Sequence, residues 1–120
     1  MQPTVDADTL GSASKILVVD DNDDKRYLVS CILEPNFHVI QAENGRKALK
    51  MIESDQQDVV LLDVLMPELD GFEVCRRMKA NAKIAEIPVL FVTVLNHDET
   101  RVEGLELGAE DFISWPVNPS

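Results

Sequence analysis

A parallel α/β sheet wound on both faces is the fold class that this 120-residue chain predicts. Three observations predict it. Short apolar runs alternate with helix-patterned segments from residue 15 onward. The runs Ile16 to Val19, Val59 to Leu62 and Val89 to Val92 are continuously apolar, as strands covered by helices on both faces must be. Each of these runs also stops at a polar residue, at Asp20, Asp63 and Thr93 respectively. Parallel neighbours would bring these residues to one edge of the sheet, where open α/β sheets place their ligands.

The elements follow in order. Residues 1–14, with Asp6, Asp8, Gly11, Ser12 and Ser14, lack periodicity and read as a flexible leader, so the folded unit is 15–120. The first strand spans 15–20. Asn22 or Asp21 caps a helix from about 23 to 34, which Pro35 stops; Leu28, Cys31 and Ile32 are expected on its apolar face. Residues 37–42 form the second strand. Asn44-Gly45 turns into a second helix carrying Ala48, Leu49 and Ile52. The third strand spans 58–63. After Met66-Pro67, Asp70-Gly71 opens a third helix with Phe72, Val74, Cys75 and Met78. Residues 88–93 form the fourth strand. His97-Asp98 opens a fourth helix with Val102, Leu105 and Leu107, ended by Gly108, and 111–115 is the fifth strand. A balanced five-stranded sheet carries one more helix, on the face of the first. The reading therefore expects a sheet truncated after the fifth strand, with an apolar face that a second copy covers unless the chain is a piece of something longer.

Composition narrows the function. One domain fits this length. With 22 acidic against 11 basic residues and a net charge of -11, direct nucleic-acid binding is disfavoured, because phosphate contact needs basic surface. Cys31 and Cys75 have no metal-ligand spacing and read as buried thiols of a reducing compartment. No apolar run approaches a membrane span and no signal peptide precedes the first strand, so a cytoplasmic location is expected. His38 and His97 are expected in solvent. Glu99, Glu103, Glu106 and Glu110 read as a solvated helix face, and Asp58, Asp70, Asp98 and Asp111 as caps and turns.

The strand-end residues carry the chemistry. A carboxylate such as Asp63, held beside other carboxylates and a metal ion, can act as a nucleophile toward phosphorus. Asp20 and Asp21 suit Mg²⁺, which takes few protein oxygens. The Thr93 hydroxyl can donate to a phosphoryl oxygen. Taken singly, each is an ordinary cap or strand residue; their joint placement at three strand ends is the signal.

These residues, in the stretches ILVVDDN (16–22), DVVLLDVLMPELDGFEVCRRMK (58–79), IPVLFVT (87–93) and GLELGAEDFI (104–113), resemble the receiver domain of bacterial response regulators. The resemblance covers residues 15 to about 119. It implies a flavodoxin-like sheet of order 2-1-3-4-5 and a two-component signalling role. It implies phosphorylation of Asp63 by a histidine kinase or phosphotransfer protein, and Mg²⁺ held by Asp20, Asp21, Asp63 and the Leu65 carbonyl. Thr93 and Phe112 match its switch pair, and an output domain or protein would read the switch. DGFEVCRRMK and GLELGAEDFI look most like receivers joined to diguanylate cyclases and hybrid kinases.

Three departures stand out. Trp115-Pro116 replaces the family's lysine-proline, with the bond before Pro116 expected cis, and no Lys or Arg nearby in sequence replaces the cation. Switching is therefore expected to be weakened. Val94 stands where the family has a small residue; with Leu65 and Leu95 it would slow phosphate hydrolysis. The closing helix is missing. The alternative reading is a degenerate receiver acting as a phosphorylation-independent interaction module. A haloacid-dehalogenase-type phosphatase would need a second Asp where Leu65 stands. The chain is thus expected not to be an enzyme, beyond assisting its own phosphorylation and dephosphorylation.

Overall fold

The computed structural model describes residues 14–95 and 98–115. The expected leader (apart from Ser14), His97 and the bond to Pro116 lie outside the described residues. Five strands, β1 (Lys15–Val19), β2 (His38–Ala42), β3 (Val59–Leu62), β4 (Val89–Thr93) and β5 (Asp111–Ser114), form one sheet of order β2-β1-β3-β4-β5. All four pairings are parallel. The helices are α1 (Asp23–Leu33), α2 (Gly45–Ser54), α3 (Gly71–Ala80) and α4 (Asp98–Glu106). The predicted flavodoxin-like architecture is the one observed.

Strand alternation splits the apolar side chains between two faces. Leu17, Val19, Val60, Leu62, Val89, Phe91 and Phe112 pack against Ala48 and Ile52 of α2 and Val74, Cys75 and Met78 of α3. Ile16, Val18, Leu61 and Val92 pack against Val29 and Leu33 of α1, with Ile113 and Trp115 at the margin. Capping residues start the first three helices: Asn22, Asn44 and Asp70 each accept from the backbone N–H three positions on. Asp111 acts locally, accepting from the Phe112 N–H, whereas Asp58 accepts from the N–H of Lys15, 43 residues away at the start of β1, rather than capping a turn.

Two expectations about helix faces are corrected. The inward stripe of α1 is Lys25, Val29 and Leu33, with Ser30; Leu28, Cys31 and Ile32 are exposed. The first turn decides this. Lys25 and Arg26 reach from α1 to backbone carbonyls of Val92 and Asp20, and these charged anchors set the rotation of the helix. Cys75 is buried as expected, but Cys31 lies on the wet side that this rotation creates. In α4, Val102 and Leu105 are exposed, and Gly104 is the buried residue. A Cβ at Gly104 would sit 3.1 Å from the Phe91 ring, so the helix approaches the sheet through its missing side chain.

Candidate functional site

Register builds the site. Val19 of β1 pairs with Leu62 of β3, so the next residues, Asp20 and Asp63, leave the sheet side by side. The Asp63 N–H donates to the Val19 carbonyl at 3.0 Å. Leu62 pairs with Phe91, which brings the end of β4 alongside, and Thr93 pairs with Ser114 of β5. Asp20, Asp63 and Thr93 are all buried, whereas Asp21 is exposed. One carboxylate oxygen from each of Asp20, Asp21 and Asp63 lies within 4.8 Å of the others. Three hard oxygen donors at this spacing suit a small divalent cation such as Mg²⁺.

The segment after Asp63 is tightly placed. Val64 N–H donates to Asp63 Oδ1 at 2.8 Å, and Gly71 N–H donates to the Val64 carbonyl at 2.9 Å. A Cβ on Gly71 would fall 2.0 Å from the Asp63 carbonyl oxygen, so only glycine lets α3 start against the backbone of Asp63. Leu65, on the same loop, is exposed, as is Val94 after β4; Leu95 is half-buried against the core. Phe112 is buried, with its ring centroid 5.9 Å from that of Phe91.

No Lys or Arg near Trp115 in sequence supplies a cation, yet the pocket holds one from elsewhere. Lys25, in the first turn of α1, is buried with its Nζ 2.8 Å from Asp20 Oδ2 and 3.5 Å from Asp63 Oδ1. It also donates to the Val92 carbonyl at 2.7 Å. Trp115, at the lysine position of the resemblance, packs instead on the apolar cluster beneath α1. This cation comes from an element remote in sequence from residue 115. No local signal marks it, since a lysine in the first turn of a helix ordinarily points to water.

Burial pushes the Asp63 carboxyl above its ordinary range. Lys25 opposes this, Asp20 reinforces it, and the Thr93 hydroxyl and Val64 N–H oppose it. The net upward direction means that desolvation outweighs the single nearby cation. A carboxylate held this way is less well solvated than one in water, and added positive charge beside it favours its ionised form.

Comparison with known proteins shows the family of the chain. The family model described as response regulator receiver domain matches residues 16–120. Response regulator PleD of Caulobacter vibrioides is 40% identical over 107 residues, covering 88% of this chain and 24% of that protein. Protein PilH of Pseudomonas aeruginosa is 36% identical over 106 residues, covering 88% of each. The chain therefore spans about a quarter of the length of PleD but most of PilH. The crystallised Vibrio cholerae chemotaxis protein CheY4 superposes with a TM-score of 0.83 at 31% identity, over 90% of this chain and 91% of that one.

Proposed function

The chain belongs to the response regulator receiver domain family, and from that membership we propose that it accepts a phosphoryl group on Asp63 in two-component signal transduction. The observation that carries the reading is the buried Asp63, set beside Asp20 and Asp21 within 4.8 Å and beside a buried Thr93. Asp20, Asp21 and Asp63 would hold Mg²⁺, with the Leu65 carbonyl as the family's further contact. When bound, the ion supplies positive charge that offsets repulsion between a carboxylate nucleophile and an anionic donor. Asp63 receives the phosphoryl group from a histidine kinase, a phosphotransfer protein or a small acyl phosphate. Thr93 donates its hydroxyl proton to a phosphoryl oxygen of the product. Phe112 is already packed inward, which leaves the aromatic member of the switch pair little further travel. Leu65 and Val94, exposed in the segments that follow Asp63 and Thr93, would with Leu95 restrict attacking water.

Weakened switching follows from Trp115 unless Lys25 supplies the charge, and its ammonium lies 3.5 Å from Asp63 Oδ1. In this reading the chain turns over no separate substrate; it assists only its own modification, and an output domain or protein reads the result. Among the described residues no helix is long and apolar enough to cross a membrane, which is compatible with a cytoplasmic role. The alternative, a phosphorylation-independent interaction module, draws on the exposed Tyr27, Leu28 and Ile32 of α1. Self-association of two copies through the apolar sheet face beside α1, around Leu61, Ile113 and Trp115, belongs to the proposal. A sedimentation mass that stays monomeric across micromolar concentrations would remove it.

The deciding experiment is intact mass after incubation with Mg²⁺ and acetyl phosphate, with Asp63→Asn as control. One phosphoryl adduct, absent from the variant, is expected. A well-folded sample that takes none would favour the interaction module.

A further inference from the structure

We propose that Lys25 is the phosphoryl-binding cation of this chain, working from the first turn of α1 in place of a lysine at the strand-end position that Trp115 occupies. The inference rests on the reading of Asp63 as phosphoryl acceptor.

The geometry is that of a held but incompletely used donor. The Lys25 side chain is 9% exposed, and lysine is rarely buried without specific partners. Its ammonium has three donors. Two are well engaged, by Asp20 Oδ2 at 2.8 Å and the Val92 carbonyl at 2.7 Å. The contact to Asp63 Oδ1, at 3.5 Å, is longer than a good N–H···O bond. The group is thus anchored from β1 and β4 with charge to spare toward Asp63. A purely structural counter-ion would be expected to close on both carboxylates.

Strand alternation explains how a helix can replace a strand end. Leu61 and, two residues on, Asp63 share the sheet face on which α1 packs, and so do Ile113 and Trp115. A side chain from residue 115 and one from the first turn of α1 therefore enter neighbouring space. The Trp115 N–H donates to the Thr93 carbonyl at 2.8 Å, so residue 115 stands at the same edge of the sheet. Lys25 makes its ion pairs with Asp20 and Asp63, and Asp21 stays exposed for a divalent ion. A cation on the β4 side and a metal near Asp21 are thus compatible.

In the transfer step an Asp63 oxygen attacks the phosphorus of acetyl phosphate. The new Oδ–P bond forms, the P–O bond to acetate breaks, and its electron pair leaves with acetate. Lys25 keeps its protons throughout; its charge offsets that on the phosphoryl oxygens, which is the main service a protein renders to this reaction.

The test is the rate of adduct formation by intact mass, in Mg²⁺ and acetyl phosphate, for the wild type, Lys25→Gln, Trp115→Lys and the double variant. Gln removes the charge while keeping a polar amide donor, on a side chain one bond shorter. Calorimetric Mg²⁺ binding and circular dichroism report whether each site stays assembled. The expected result is a Lys25→Gln rate about 100-fold below wild type, the effect of losing one preorganised donor, with Mg²⁺ still bound. Trp115→Lys alone should run near the wild-type rate, and the double variant should regain at least about tenfold over Lys25→Gln. A Lys25→Gln rate equal to wild type overturns the assignment while leaving the Asp63 reading in place. A double variant as slow as Lys25→Gln overturns the relocation of the cation. If Lys25→Gln does not fold, the double variant decides: a near-wild-type rate supports the proposal, and an about 100-fold loss overturns it. If the wild type takes no adduct, the acceptor reading falls, and the phosphoryl role of Lys25 falls with it before any substitution is compared.

Discussion

At the scale of single residues, the site sets activity against stability. Desolvation raises the pKa of Asp63, so between its ordinary and its raised value the folded state binds more protons than the unfolded one. Stability therefore falls as pH rises through that interval, and the cost is fully present above the raised value. Asp63→Asn removes the cost. The metal-free variant is expected to be more stable than wild type by roughly 0.5–2 kcal/mol at neutral pH. The gap should shrink as pH falls toward the ordinary aspartate value of about 4. Denaturant unfolding in chelator at several pH values checks both points; a gap that widened on acidification would contradict the desolvation account. Asp20, Asp63 and Thr93 were legible because each ends an apolar run. Lys25 was not, since a lysine in the first turn of a helix ordinarily points to water.

Among the elements, α1 and α3 are positioned by contacts that periodicity does not encode. Val29 with Leu33 and Leu28 with Ile32 offer two comparable apolar stripes on α1, and hydrophobicity alone does not choose between them. The buried Lys25 and the half-buried Arg26 settle the choice through β1 and β4. Asn22→Ala should lower stability by about 1 kcal/mol, because Asn22 Oδ1 accepts the Lys25 N–H at 2.9 Å. Chemical denaturation measures it, and a phosphorylation rate that also falls would show that the cap positions Lys25. For α3, Gly71→Ala places a methyl 2.0 Å from the Asp63 carbonyl oxygen. An Ala there should cost about 1–3 kcal/mol or more, as overpacking does, and should slow adduct formation, because relief requires moving the acceptor's own backbone. Unchanged stability would mean that the start of α3 shifts freely.

For the whole molecule, net charge and metal binding are linked. The chain carries a net charge of -11, and three carboxylates meet at one sheet edge. Mg²⁺ binding the folded state alone should stabilise it by about 2.7 kcal/mol at a hundredfold excess over its dissociation constant. Thermal melting with Mg²⁺ or chelator, at matched ionic strength, separates this from general screening. Asp20→Asn with Asp21→Asn should abolish the Mg²⁺ response, and a response that survived would place the ion elsewhere.

The order and type of the elements, the parallel sheet and the acidic edge were determined by the sequence alone, because each rests on a local period, a cap or a strand end. The tertiary structure alone decided which side of α1 is buried, how close Gly71 lies to Asp63, and where the pocket's cation comes from. These depend on distances between segments far apart in the chain. Lys25 meets the Val92 carbonyl only because α1 packs across β1, β3 and β4, and no local pattern in the sequence carries that information.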